Sequence, residues 1–316
     1  MGSVWLGPAL RLQTAVAAGM MAVFCLASLA GWRFGAAAQL VVLLGGIIVT
    51  GFPHGAFDHL LARPVLEPRL GRAWSLLFLA GYVGLAGLVW LGWQTMPAAT
   101  LAAFLAASVV HFGLGDAADG LAPAGVPRAI AVLAYGALPL LLPMALHSAE
   151  AAPLLASLGG VSVPVMEYAL HGTAWLLPAW VAAFGWVVIA AWRERRGVAE
   201  RLVTAGCFVL LPPLLAFGLY FAFGHAVRHM LHLGAWHSPH DRVAAARWLA
   251  RTAVPARPAS MVCAVGLAAL AVAGRDTTVT LLMPSFRIIA ALTLPHMIVT
   301  TWLDGGGGPG GTMAHE

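Results

Sequence analysis

Mainly apolar stretches, each near the length needed to cross a bilayer, recur along almost the whole chain. They cover 14–32, 36–57, 73–93, 97–113, 128–146, 168–191, 202–236, 259–273 and 281–303. A spanning helix needs about 20 such residues, and a backbone in lipid must satisfy its polar groups within its own segment. The expected fold is therefore all-α, a polytopic transmembrane bundle of about 8–10 spanning helices. The segment 202–236 is too long for one pass, and Pro212-Pro213 offers a break, leaving a short piece before a span at 214–236. Only 9% of the residues are charged, against about 25% in a soluble domain. One helical domain is expected over residues 1–303, followed by a flexible glycine-rich tail, 304–316.

The charges exclude some chemistry. All 17 basic residues are arginine, so no lysine amine exists to form a Schiff base with a carbonyl compound. A retinal-holding opsin is thereby excluded. The formal charge of +5 fits topology and lipid headgroups rather than nucleic acid, because no basic stripe with interleaved aromatics occurs. Arginine clusters at 63–72 and 193–201 read as loops on the cytoplasmic side. Arg242, Arg247, Arg251 and Arg257 form a further cluster, which falls on the other side if 202–236 crosses once; a break at Pro212-Pro213 or an interfacial helix around "DRVAAARWLART" would each resolve this. Cys25, Cys207 and Cys263 lie far apart in apolar runs, without CxxC spacing, and read as small buried hydrophobes. The first apolar run has features of a secretory signal, with "GAAAQ" at 35–39 as a small-residue site, but its length favours a retained helix.

Against this apolar ground, four polar islands stand out: "GFPHGAFDHLL" (His54, Asp58, His59), "SVVHFGLGD" (His111, Asp116), "YFAFGHAVRHMLHL" (His225, Arg228, His229, His232) and "LTLPHMIV" (His296). A charged group at membrane depth costs about 2.5–3.5 kcal/mol on insertion scales and marks function by default. His225 and His229 are four apart and share a helix face, the geometry by which one helix gives two ligands to one metal. His54 and Asp58 repeat that spacing, and His111 would come from a third helix. A lone intramembrane histidine more often just bonds a neighbouring helix, the ordinary reading of His296 or His171 taken alone. Three segments together favour a metal in the bundle core. The loop "HSPHD" (His237, His240, Asp241) carries no such signal.

Neutral imidazoles suit iron, copper, zinc or nickel. Four histidines without a thiolate fit redox-capable iron(II) with positions left for dioxygen and substrate. Asp58 or Asp116 would help to balance the ion's charge, and Arg228 is expected to pair with one of them. A metal site inside the bilayer implies a lipid-soluble substrate: an acyl chain, sterol, quinone or carotenoid. Rival readings are a membrane di-iron desaturase or hydroxylase, disfavoured because no HxxHH occurs, and a haem-binding electron carrier with paired axial histidines.

"PHGAFD", "HFGLGD", "YFAFGHAVRH" and "LTLPH", in this order over about 45–303, resemble the bacteriorhodopsin-related protein family (Brp/Blh). The resemblance implies an integral-membrane β-carotene 15,15′-dioxygenase of the cell membrane, an oxidoreductase. Such an enzyme uses Fe(2+) and O2 to cleave the central double bond to two molecules of all-trans retinal. Membrane lipids surround it, and the product would be available to a microbial opsin. Carried over residue by residue, the metal ligands would be His54, His111, His225 and His229. Asp58, Asp116 and His296 match further motif positions and take outer-shell or pocket roles, as does Arg228 by its expected pairing. His59 and His232 lie outside the pattern. Phe52, Phe57, Phe112, Tyr220, Phe221 and Phe223, near the motifs, are candidates to line a substrate channel. Phe57 stands where the family usually has leucine, and the residues before 35 are outside the resemblance.

Overall fold

A computed structural model describes residues 3–118, 123, 125–192, 195–254 and 275–302. Among them all regular structure is helical, without a strand. Six helical stretches among the described residues are long and apolar enough to cross a membrane: Leu6–Leu29, Ala36–Thr95, Pro97–Ala117, Arg128–Leu146, Val163–Ala190 and Pro213–His237. A shorter apolar stretch, Phe286–Thr301, joins them. The chain is an all-α, multi-pass membrane protein. The candidate span 259–273, Cys263, Arg257 and the tail 304–316 lie outside the described residues.

The first helix, α1 (Leu6–Leu29), begins eight residues before the apolar run, because exposed Arg11 can keep its charged head in a polar layer while its stem stays on the helix. It packs as a full member of the bundle. Gln13, Ala17, Met21 and Cys25, four residues apart, form its buried stripe and meet the helix later in the chain that carries Glu200 and Cys207.

Ala36–Thr95 is 60 residues long, far more than one pass requires. It consists of α2 (Ala36–Gly46), a π-helical turn (Ile47–Gly51), α3 (Phe52–Gly55), α4 (Asp58–Leu70) and α5 (Trp74–Thr95). Gly71, at φ 55°, turns the chain so that α5 packs back on α4. The arginines of 63–72, expected in a loop, fall largely on α4. Arg63 and Glu67 pair across one helical turn at 2.8 Å, and Arg69 Nη1 donates to the Val65 carbonyl at 2.7 Å, so the charges help hold a helix that contains Pro64 and Pro68.

Helices α6 (Pro97–Ala118) and α7 (Arg128–Leu146) touch backbone to backbone. A Cβ at Gly136 would lie 1.8 Å from the Val109 carbonyl oxygen, and one at Gly113 2.0 Å from that of Val132. Only glycine permits this approach. Next come α8 (Ser148–Gly159), α9 (Val163–Thr173), α10 (Leu177–Ala190) and α11 (Arg195–Leu210).

Pro212-Pro213 breaks the long seventh segment as the sequence leads one to expect. α11 stops at Leu210 and α12 (Pro213–Leu219) starts a new run, which continues through a π-helical turn (Tyr220–His225) into α13 (Ala226–His237). The amphipathic α14 (Arg242–Ala253) is too short to span. Its N-terminus is capped by Asp241, which accepts from the Val243 and Ala244 amides at 2.8 and 2.9 Å, and exposed Arg242, Arg247 and Arg251 line it. The last described helix is α15 (Arg275–Trp302). The main core runs along α1, α6, α7, α10, α11 and α12, with Met21, Phe112, Tyr135, Val187, Phe208 and Leu215 among its members.

Candidate metal centre

Five imidazoles from four parts of the bundle meet at one place. His54 sits on α3 just after the first π turn, His225 ends the second, His229 follows one turn later on α13, His111 comes from α6 and His296 from α15. Ring centroids lie 4.5 Å apart for His54–His229 and His54–His296, 5.1 Å for His111–His225, 5.5 Å for His111–His296 and 5.7 Å for His54–His225. His54, His111 and His225, all buried, each offer a nitrogen within 4.8 Å of the others, close enough for one metal ion.

The donor set fits a cation. His54 Nδ1, His225 Nε2 and His229 Nε2 are shut off from solvent and have no hydrogen-bond partner among the described residues. Buried polar atoms are normally paired, so three orphaned nitrogens in one cluster call for a shared partner, and an electron-pair acceptor is the natural one. Gly115 makes room for this arrangement, since a Cβ there would stand 3.3 Å from His225 Cε1.

Two separate carboxylate systems flank the imidazoles. In the first, His296 Nδ1 lies 2.8 Å from Asp58 Oδ1 while its Nε2 lies 2.7 Å from His54 Nε2. The Tyr82 hydroxyl donates to Asp58 Oδ2 at 3.0 Å. His54 and Asp58 do not share a continuous helix: the chain turns at Ala56-Phe57 between α3 and α4, so Asp58 reaches His54 through His296. Thr300 Oγ1 is 3.4 Å from His111 Nδ1.

In the second system, Asp116 receives Arg228 at 3.0 Å and Arg201 at 2.8 Å, and Tyr220 donates to its Oδ2 at 3.1 Å. Arg228 also pairs with Glu200, which takes a hydrogen bond from Thr14 at 3.2 Å. The guanidinium of Arg201 lies over the Tyr135 ring, 4.6 Å from its centroid. Of the two partners expected for Arg228, the structure selects Asp116. Arg201 and Glu200, read in the sequence as members of a charged loop, are instead buried in α11. The available signal was their place at the head of the buried stripe Glu200, Thr204, Cys207 and Leu211, which mirrors the stripe on α1. Tyr82 gave no signal, because a single tyrosine in an apolar helix is unremarkable.

The aromatic candidates divide. Phe112 stands edge-on to His225 at 4.8 Å, and Phe221 touches both His54 and His225. Tyr220 also faces His225, at 6.2 Å, but its hydroxyl belongs to Asp116. Phe57 is fully buried in a separate apolar cluster with Leu61 and Leu233, packed against Trp248. Phe223 packs against the main core, and Phe52 is half-buried. His59 is exposed on α4, His232 is half-buried on α13, and His171 is exposed. Gly51 receives the edge of Phe221, a Cβ there lying 3.0 Å from the ring, while a Cβ at Gly55 would meet nothing within 4 Å.

Membrane-length helices around a buried imidazole cluster able to hold a metal define an integral-membrane protein with a histidine centre. The family model for beta-carotene 15,15′-dioxygenase matches residues 45–304, and the chain belongs to that family. It is therefore an enzyme, an oxidoreductase of the carotenoid-cleaving dioxygenase class. The chain is 30% identical over 324 residues to a probable beta-carotene 15,15′-dioxygenase Blh of Halobacterium salinarum, covering 92% of each chain. It is 25% identical over 262 residues to a beta-carotene 15,15′-dioxygenase of an uncultured marine bacterium, covering 81% of this chain and 91% of that one. No solved structure matches it.

Proposed function

We propose that the protein is an iron(II)-dependent enzyme of the cell membrane that adds dioxygen across the central 15,15′ double bond of β-carotene, giving two molecules of all-trans retinal. The observation that carries this reading is the set of orphaned buried nitrogens on His54, His225 and His229, inside a chain of the carotenoid-cleaving family. His54, His111, His225 and His229 would hold the ion. Bound iron(II) would supply the one-electron chemistry that lets dioxygen react with an alkene. The balance needs no further reductant: one carbon–carbon double bond is lost and each product aldehyde keeps one oxygen atom.

The remaining work falls to the protein's own side chains. Phe112, edge-on to His225, and Phe221, stacked beside it, present apolar surface where a polyene would lie. The apolar helices around them exclude water from that surface. The Asp116 cluster fixes Arg228, and with it the turn of α13 from which His229 projects. Holding the central bond rather than another against the centre is a matter of position, which the enclosing helices impose. The test is co-expression in a bacterium that accumulates β-carotene, with retinoids measured by chromatography under labelled dioxygen. The expected result is retinal carrying one labelled oxygen per molecule, absent in His229→Ala and lost on treating membranes with an iron(II) chelator. Intact β-carotene beside well-expressed, iron-loaded protein would refute the substrate assignment.

A further inference from the structure

A chain of hydrogen bonds leads away from the imidazole cluster, and its donors and acceptors can be assigned one by one. An ionised carboxylate only accepts, so at 2.8 Å His296 Nδ1–H donates to Asp58 Oδ1. The neutral ring then offers Nε2 as an acceptor. His54 Nε2, 2.7 Å away, must supply the proton between them. That leaves the lone pair of His54 on Nδ1, the atom that is buried and meets nothing. The opposite direction, with His296 donating to His54, would leave His54 a buried N–H without an acceptor. Tyr82 closes the far end by donating to Asp58 Oδ2 at 3.0 Å.

Charge points the same way. Asp116 is matched by Arg201 and Arg228, and Glu200 by Arg228. Asp58 meets His296 and Tyr82 and no arginine among the described contacts. It is the carboxylate left over to offset a dication held by neutral ligands.

We propose that His54 binds the ion through Nδ1, directed by a one-way chain in which His54 donates to His296 and His296 donates to Asp58, with Tyr82 anchoring Asp58. His296, Asp58 and Tyr82 are positioning residues rather than ligands. Through them the charge of Asp58 raises the basicity of His54, as carboxylates behind ligating histidines do. This inference rests on the metal reading of the cluster and not on the carotenoid substrate.

The experiment is anaerobic titration of chelator-stripped protein in detergent with Fe(II) and with Co(II). Affinity is measured by competition with a chromophoric chelator, and the Co(II) visible spectrum is recorded at saturation. Asp58→Asn and His296→Leu are expected to weaken binding by about 10–100-fold, shifting the Co(II) bands while a saturable site persists. Tyr82→Phe weakens binding less, in the same direction. In His296→Gln an amide oxygen can stand near the lost Nε2 and accept the His54 proton, so that variant recovers part of what His296→Leu loses. Wild-type affinity and spectrum in both Asp58→Asn and His296→Leu would overturn the chain. So would abolition of the site in His296→Leu as complete as in His229→Ala, which would make His296 a ligand. A wild-type protein that binds neither metal overturns the metal reading itself, whatever the variants do. Monodisperse elution of each variant separates these outcomes from misfolding, and Tyr82→Phe, the mildest change, keeps the test alive if a harsher variant does not fold.

Discussion

Replacing Arg228 with methionine removes one of two cations from a buried cluster that contains two carboxylates. Asp116, Glu200, Arg201 and Arg228 have side chains no more than 6% exposed, and as a set they are neutral. After the substitution Asp116 still has Arg201 at 2.8 Å and Tyr220 at 3.1 Å. Glu200 loses its direct ion pair and keeps a hydrogen bond from Thr14 and the more distant charge of Arg201, so the loss falls mainly on one carboxylate. Removing one partner of a buried ion pair costs about 3–5 kcal/mol, mostly from the charge left behind. A second substitution, Glu200→Gln, removes that charge. Arg228→Met should therefore lower the thermal midpoint strongly, and Arg228→Met with Glu200→Gln should regain at least half of the drop. The assay is loss of monodisperse elution after heating in detergent, with both single variants measured to close the cycle. A wild-type midpoint in Arg228→Met would refute the reasoning. So would a double variant whose loss is the plain sum of the two singles.

Three other substitutions test the supports of the centre. Gly136→Ala places a Cβ 1.8 Å from the Val109 carbonyl oxygen and forces α6 and α7 apart. Overpacking costs about 1–3 kcal/mol or more, so the yield of monodisperse protein should fall sharply. Gly115→Ala is milder, with its Cβ 3.3 Å from His225 Cε1. It should weaken metal binding in the titration while leaving the thermal midpoint near wild type. Gln13→Leu takes away the donor that reaches the Phe223 and Gly224 carbonyls at 2.7 and 3.3 Å. An unsatisfied buried group costs about 1–3 kcal/mol, which should appear as a lower midpoint and weaker metal binding together. A change in neither would show that α1 does not support the turn before His225.

The fold class was legible because hydropathy repeats at bilayer length and the backbone then has few options. The histidines were legible because several apolar segments carry them together, two of them four apart on one helix, and the motif order named their company. What escaped was pairing. Arg201 and Glu200 carry the same letters as a cytoplasmic loop, and only the folded bundle shows that Arg201 closes on Asp116 of α6 and Glu200 on Arg228 of α13. Tyr82 escaped because its role depends on α5 lying against α4 and α15. Hydrogen bonds between helices distant in sequence leave no local pattern, whereas spacing along one helix does. His54 and Asp58 show the limit of even that signal. Their separation of four suggested one shared face, but the turn at Ala56-Phe57 sent them onto different helices and made His296 the link between them.

Two π turns among the described residues account for the irregular helices that carry His54 and His225. A π turn inserts one residue into the α register, so the residues after it are rotated by about 100° relative to those before it. Without the insertion, a stripe facing the bundle in α2 or α12 would carry its next members away from the centre. Ile47–Gly51 stands immediately before the turn of helix that bears His54, and Tyr220–His225 ends on a ligand candidate. The two turns also pack on each other, with Gly51 receiving Phe221 and a Cβ at Gly46 meeting that of Ala222 at 2.8 Å. Each leaves carbonyls poorly served by its own helix, and side chains are on hand to answer them. The Thr50 hydroxyl donates to the Gly46 carbonyl at 2.8 Å in the first turn, and Gln13 donates to Phe223 and Gly224 in the second. The polar residues that look least at home in the apolar helices thus do three kinds of work. The imidazoles gather at one centre, the charges around Asp116 close on one another, and Thr50 and Gln13 serve the bent backbone.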